Sequence, residues 1–192
     1  MTEYSTETVV LSARELIAAA KIAKSARMAA YKTVRVERKE CILTIAATDS
    51  YKVVRYFHEV ERGEAFVAAF DAAELASRLK VSDRVIFDGE KLIAGAGTVS
   101  TAERNVEYLR NSNIDALLNV TDEGEAQHVG VNPAFMQQIM DAFKASDEYQ
   151  DELRRSKTPA PVIIEFHGER KPITFRSQRK TFEALAMPVR IG

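Results

Sequence analysis

The fold is decided by a stretch that reads VVLSARE at residues 9–15. It joins a short apolar strand directly to Ser12, which suits a helix N-cap, and Glu15 follows three positions later, as in a capping box. The same order of strand, cap and helix recurs in the stretches FVAAFDAAE at residues 66–74 and VGVNPAF at residues 129–135. The third copy replaces the acid by a proline at the first helical position, which is another helix-start signal.

The three caps are evenly spaced along the chain. Ser12 and Asp71 are 59 residues apart, and Asp71 and Asn132 are 61 residues apart. Because strand-rich sequence follows each helix, the repeat predicts three βαβββ modules in a chain of 192 residues. The predicted class is therefore α+β, with repeated modules instead of a single chain-wide pocket.

Periodicity and turn residues give the predicted elements. Helices are expected over residues 13–27, 72–79 and 133–143, and the polar segment 144–157 is either a mobile loop or a helical extension. The Asp88-Gly89 pair predicts a hairpin turn. Besides the three strands that lead into the helices (9–11, 66–70 and 129–131), the predicted strands cover residues 33–37, 42–47, 52–57, 84–87, 92–96, 98–102, 116–120, 162–166, 172–176, and 181–186 with 189–191. We expect a first domain over residues 1–105, a connector over 106–126 and a third module over 127–192.

Composition points to an ordinary globular chain. Apolar residues make up 46%, charged residues 29%, and the net charge is −1. Without a signal-like N-terminus or an apolar run of about 18 residues, we expect a cytoplasmic protein that makes no membrane contact. The one cysteine, Cys41, precedes Ile42 and Leu43, which favours a buried thiol. A near-neutral chain can contact nucleic acid only through a local basic surface.

The first predicted helix carries such a surface. On a helical wheel its alanines gather on one side, whereas Arg14, Lys21 and Lys24 gather on the other with no acid among them. Arg27 extends the cations past the helix end. Two interpretations stay open: a phosphate-contacting surface, or an ordinary solvated helix face.

Motifs of enzyme chemistry are missing from the sequence. The three histidines, His58, His128 and His167, have no metal-ligand spacing to a cysteine or carboxylate. There is no phosphate-binding glycine loop and no nucleophile elbow. We therefore expect no catalytic residues, no cofactor and no metal.

Four stretches resemble the bacterial DNA sliding clamps, the beta subunit of the replicative DNA polymerase. These stretches are LTIAATD at residues 43–49, ERGEAFV at 61–67, VGVNPAFM at 129–136 and FEALAMPVRI at 182–191. The last is the most specific, because the family typically ends in a strand followed by Met-Pro-Met-Arg-Leu. The resemblance implies a clamp-like fold in which helices lie on one face of antiparallel sheets.

The resemblance also implies two binding surfaces. Clamp helices line a ring and present cations to duplex DNA, which implies a DNA-binding set of Arg14, Lys21, Lys24, Arg27, Lys32 and Arg78. The C-terminal segment of the family lines a hydrophobic groove that captures linear peptides from polymerases and other partners. That implies a peptide-binding set of Leu185, Met187, Pro188, Val189, Arg190 and Ile191. The alternative is a purely structural role, in which this segment is an edge strand that packs on the core.

The chain departs from the family in length. A bacterial clamp protomer is about twice as long and holds six modules, whereas this sequence has three. We therefore expect a shortened clamp-like processivity or scaffold factor that self-associates, because one module has no partner within the chain. The alternative is a clamp-fold protein-interaction module that does not encircle DNA, and the third hypothesis is an α+β enzyme with an unrecognised site.

Overall fold

The structure, a computed structural model, describes residues 8–95, 97–102, 129–168 and 170–189. The predicted connector and its strand, and the groove residues Arg190 and Ile191, lie outside the described residues. In chain order the elements are β1 (Val9–Ser12), α1 (Ala13–Lys24), β2 (Thr33–Lys39), β3 (Ile42–Thr48), β4 (Lys52–Glu59), β5 (Phe66–Asp71), α2 (Ala72–Arg78), β6 (Arg84–Phe87), β7 (Lys91–Ala94), β8 (Gly97–Ser100), α3 (Pro133–Ala145), α4 (Asp147–Ser156), β9 (Val162–Glu165), β10 (Ile173–Ser177) and β11 (Phe182–Ala186).

The first two modules exchange their leading strands. Strand β1 precedes α1 but pairs with β6 of the second module, and β5 precedes α2 but pairs with β2 of the first. The result is one four-stranded sheet, β1-β6-β7-β8, and part of a seven-stranded sheet, β5-β2-β3-β4-β11-β10-β9. Because each sheet needs a strand from the other module, neither module can complete its sheet alone.

The third module extends the sheet of the first. Strand β11 pairs antiparallel with β4, with Ala184 opposite Val54, and β10 and β9 follow at the end of the sheet. An ion pair between Arg55 and Glu183 joins the two strands through their side chains. The expectation that one module has no partner within the chain is therefore wrong, since β4 offers an edge that β11 covers.

Helix α1 lies at the centre of the molecule. It packs on β2, β3 and β4 and is flanked by α2 on one side and α3 on the other. Its predicted apolar side is buried as expected, with Leu16, Ala19, Ala20 and Ala23 fully inaccessible to solvent. Small alanine side chains let the helix approach the sheet and both neighbouring helices closely, which is what a close-packed interior requires.

Two of the three predicted helix caps are confirmed. The Asp71 carboxylate accepts from the amides of Ala73 and Glu74, and the Asn132 side chain accepts from the amide of Ala134. The capping box at Ser12 is wrong, because the Ser12 side chain makes no cap bond to its helix. The side chains of Ser12 and Glu15 instead form hydrogen bonds with residues that are distant in sequence, as described below.

Two further differences concern exposure and helicity. The thiol of Cys41 is exposed, not buried, because Glu40 and Cys41 form the tight turn between β2 and β3. The polar segment after α3 is helix α4, capped by the Ser146 hydroxyl, which accepts from the Tyr149 amide at 3.3 Å. In the part of the chain that is described, no helix is long and apolar enough to cross a membrane.

Candidate nucleic-acid interface and C-terminal surface

A basic surface forms where α1 ends. Lys21 and Lys24 are exposed on the last turns of the helix, and Arg27 and Lys32 are exposed in the segment that follows. Cations at the C-terminus of a helix also favour the helix itself, since they face its partial negative charge. Among the described residues, none of these four cations forms an ion pair. They are therefore available to an external anion.

The other two predicted DNA-binding residues lie in different settings. Arg14 is half-buried near the start of α1, where it lines a cleft of about 440 Å³. Seven residues separate it from Lys21, which is about 10 Å along a helix axis. Arg78 on α2 is exposed, but its guanidinium lies 3.1 Å from the Glu74 carboxylate. We accordingly define the basic surface as Lys21, Lys24, Arg27 and Lys32.

The predicted peptide-binding residues split into a buried and an exposed part. Leu185 is 3% exposed within β11, so it contributes packing instead of an accessible contact. Met187 and Val189 follow the strand and are 37% and 41% exposed, with Pro188 half-buried between them. Backbone hydrogen bonds hold them in place: the Met187 amide donates to Tyr51 at 2.9 Å and the Val189 amide to Gly130 at 2.9 Å.

Two aromatic rings missed by the sequence analysis adjoin this segment. Tyr51 is 45% exposed, and its ring stacks on Phe135 of α3 with 5.9 Å between centroids. Tyr51 belongs to the turn after β3, so the first module contributes to a surface that the sequence assigned to the C-terminus alone. We call Tyr51, Phe135, Met187 and Val189 the C-terminal apolar surface.

A buried ion pair supports this surface from beneath. Lys52 is 1% exposed, and its ammonium contacts the Asp49 carboxylate and lies 4.4 Å from the centroid of the Phe135 ring. The other Asp49 oxygen accepts from the amides of Tyr51 and Lys52, each at 3.0 Å. Asp49 therefore both stabilises the turn and serves as the counter-ion of Lys52.

Hydrogen bonding decides the protonation of Asp49. Burial alone would raise its pKa, but hydrogen bonds from the Lys52 ammonium, the Tyr51 amide and the Ser25 hydroxyl favour the ionised carboxylate. Together they hold the pKa below its ordinary value of 3.8. The turn is thus stabilised by a carboxylate that stays charged at neutral pH.

A second polar cluster connects the first and third modules. One carboxylate oxygen of Glu15, on α1, accepts a hydrogen bond of 2.5 Å from Nε2 of His58, and the other oxygen accepts from the Asp147 amide at 3.0 Å. Burial raises the pKa of Glu15 above 4.5, a rise that His58 partly offsets. Burial would lower the pKa of His58, but the hydrogen bond and charge of Glu15 outweigh it and raise that pKa above 6.5.

Comparisons of the fold identify one structural class. The chain is similar to a candidate DNA polymerase III beta subunit of Eubacterium rectale, at 14% identity and a TM-score of 0.65, over 96% of this chain and 66% of that one. It is similar to the beta subunit of Streptococcus pyogenes DNA polymerase, at 16% identity and a TM-score of 0.61, over 100% of this chain and 68% of that one. It is also similar to the DNA polymerase sliding clamp of Bacillus subtilis, at 12% identity and a TM-score of 0.60, over 100% of this chain and 66% of that one.

These likenesses establish a sliding-clamp fold. The predicted α+β class and the predicted resemblance are both confirmed at the level of fold. The chain spans about two thirds of the length of the clamps it matches. No family model matches the sequence, and no curated protein matches it either.

Replacing Asp49 by asparagine tests the buried ion pair through pH. At pH 7 the substitution should lower the free energy of unfolding by about 3–5 kcal/mol, because it leaves Lys52 buried without a counter-ion. A carboxylate with a lowered pKa stabilises the protein above the unfolded-state pKa, and this contribution is lost as pH falls through the folded-state pKa. Denaturant unfolding should therefore show that the difference in free energy of unfolding between parent and variant becomes smaller below pH 3.8.

The exposed Asp141 supplies a matched control, since Asp141→Asn changes a carboxylate that is 58% exposed. Its effect on unfolding should be small at every pH. A difference for Asp49→Asn that stays constant down to the lowest pH at which both proteins fold would contradict the ion-pair account.

Proposed function

We propose that this protein is a non-enzymatic, sliding-clamp-like processivity or scaffold factor that associates with duplex DNA and binds partner peptides at its C-terminal apolar surface. The observation that carries the proposal is the basic surface on the helix layer of a clamp fold. Four exposed cations without an ion pair among the described residues lie on the last turns of α1 and in the segment that follows it. The deoxyribose-phosphate backbone is the ligand that such a surface fits best.

Charge distribution supports a weak and non-specific mode of binding. The net charge of −1 excludes affinity that arises from overall charge, so a few phosphate contacts would carry the association. Each neutralised phosphate releases condensed counterions, which makes such binding salt-dependent and independent of base sequence. A protein that holds DNA this loosely can remain mobile along the duplex.

The main alternative is a clamp-fold protein-interaction module that does not encircle DNA. The C-terminal apolar surface favours this function as much as the first, because it requires no nucleic acid. The two functions differ in what the basic surface does: in the alternative, Lys21 and Lys24 form an ordinary solvated helix face. DNA binding therefore discriminates between them.

The partners we propose follow from the two surfaces. Duplex DNA would contact the basic surface, and a DNA polymerase or another clamp-binding protein would supply a linear peptide with apolar anchors. An exposed methionine whose amide bonds to the Tyr51 carbonyl is adaptable enough to accept different anchors. Self-association remains a prediction. Among the described strands, β1 and β8 are the edges of the four-stranded sheet, and β5 and β9 are the edges of the seven-stranded sheet. An unpaired strand edge favours pairing with a second chain.

Charge reversal at Lys21 and Lys24 tests the DNA proposal. Replacing both lysines by glutamate should weaken duplex binding at low salt and reduce the slope of log K against log salt by about 2, because about 0.9 counterion is released per phosphate. Both side chains are exposed, so the melting temperature should change little. Fluorescence anisotropy with a labelled duplex over a salt series measures the effect.

A matched control reverses Lys39, at the end of β2, and Lys180, in the turn before β11; both are exposed and neither belongs to the basic surface. It changes net charge equally and should leave the salt slope nearly intact. Equal binding by the parent and by the Lys21/Lys24 variant across the series would refute the phosphate-contacting role and favour the interaction-module alternative.

Substituting Met187 by alanine tests the peptide proposal. A peptide with spaced leucine and phenylalanine anchors should bind the parent at micromolar strength, about −8 kcal/mol, and the variant should bind at least about tenfold more weakly. Because the Met187 side chain is 37% exposed, the melting temperature of the variant should be only slightly below that of the parent. The comparable substitution Val67→Ala, at an exposed site on β5, should leave peptide affinity unchanged. A loss of about 2–5 kcal/mol in stability, with no peptide binding by the parent, would instead identify a core strand.

A further inference from the structure

The cluster of Glu15, His58 and Asp147 brings together three side chains that can each ligate a metal ion. These side chains come from α1, β4 and α4, and one donor atom from each lies within 4.8 Å of the others. Sequence spacing gave no metal motif, because residues 15, 58 and 147 are brought together only by the fold. The cluster occupies the position where the local capping rule fails at Ser12.

Each carboxylate of the cluster has one oxygen held by a neighbour. Glu15 Oε1 accepts from the Asp147 amide at 3.0 Å, which leaves Oε2 facing the His58 ring. Asp147 Oδ1 accepts from the Ser12 hydroxyl at 3.4 Å, which leaves Oδ2 3.9 Å from His58 Nδ1. The Glu15 oxygen faces Nε2 of the imidazole and the Asp147 oxygen faces Nδ1. Both carboxylates have outer partners of the kind that fix the ligands of metal sites.

The charges of the cluster favour a cation. Glu15 is 1% exposed, and in the described part of the chain its one ion-pairing partner is His58, with no lysine or arginine bound to it. Asp147 adds a second carboxylate on the same side. A buried carboxylate is costly unless a positive charge compensates it, and a metal ion could supply that charge in place of a proton on His58.

Solvent reaches the cluster from two sides. The cleft of about 440 Å³ is lined by His58 and Asp147, and a smaller one of about 120 Å³ is lined by all three members of the cluster. An ion could therefore enter without opening the core. The exposed Asp147 side chain, at 51%, can also move to meet it.

We propose that Glu15, His58 and Asp147 form a binding site for a divalent transition-metal ion of the zinc class. One imidazole nitrogen and two carboxylate oxygens are a donor set that suits zinc better than magnesium. Tetrahedral zinc places its donors about 3.3 Å apart. Occupancy would thus widen the Glu15–His58 contact by about 1 Å and draw the Asp147 oxygen inward, with the fourth position open to the cleft.

The bound ion would join the first module to the third. Two ligands belong to α1 and β4, and the third begins α4, which follows α3 directly. The site is independent of the basic surface, so the DNA proposal can fail without affecting it.

Titration of the chelator-treated full chain with zinc chloride tests this site. The melting temperature of the parent should rise with zinc concentration, since an ion that binds only the folded state stabilises it, and calorimetry should give about one ion per chain. Magnesium chloride should produce little shift. His58→Gln and Asp147→Asn should each weaken zinc affinity by at least about tenfold. Asp147 is exposed, so that variant should fold normally even if His58→Gln does not.

Asp141→Asn is the control, because it removes an exposed carboxylate on α3 and should bind zinc like the parent. Two results would overturn the proposal. One is a parent whose melting temperature does not respond to zinc. The other is zinc binding that persists undiminished in Asp147→Asn, which would move the ion to another donor, such as the exposed thiol of Cys41.

Discussion

The alanine side of α1 is the packing constraint on which the rest of the structure depends. One helix of twelve residues contacts three strands of the seven-stranded sheet and two flanking helices, and its inward positions Ala19, Ala20 and Ala23 are fully buried. A larger side chain there would push neighbours apart at a cost of about 1–3 kcal/mol. Because that side must face inward, the helix can only present Lys21 and Lys24 outward. The basic surface is thus a consequence of how the core is packed.

Strand pairing joins all three modules to one another. The first two modules share strands through β1–β6 and β2–β5, and the third is attached through β4–β11. Antiparallel ladders satisfy backbone groups that would otherwise be left at an open edge. Helix α1 also contacts α3 of the third module, so both layers cross the boundary between modules. The third module therefore belongs to the same packed body as the first.

Much of this fold follows from local signals in the sequence. Alternating apolar residues predict the strands, and a helical wheel predicts which side of α1 is buried. The cap residues Asp71 and Asn132 predict where two helices begin. The Asp88-Gly89 turn is also confirmed, because Gly89 adopts a φ of 98° that favours glycine. Helix α4 could have been found too. Ser146 precedes acids in its first turn and arginines in its last, which is a helix pattern that its polar composition obscured.

Other features depend on partners distant in the chain. The sequence around Ser12 and Glu15 reads as a capping box, but His58 and Asp147 compete for both side chains once β4 and α4 are in place. Tyr51 carries no local sign that it lies beside Met187. Such sites arise where tertiary contacts override local preference, and these are the places where function concentrates.

The central claim is that the third module completes the sheet of the first within one chain. Hydrogen exchange at the Phe57 amide tests it most directly, because this β4 group donates to the Thr181 carbonyl at 2.8 Å, next to β11. The account predicts strong protection of Phe57 that is the same at high and low protein concentration. Fast exchange typical of an open strand edge, or protection that appears only at high concentration, would contradict it.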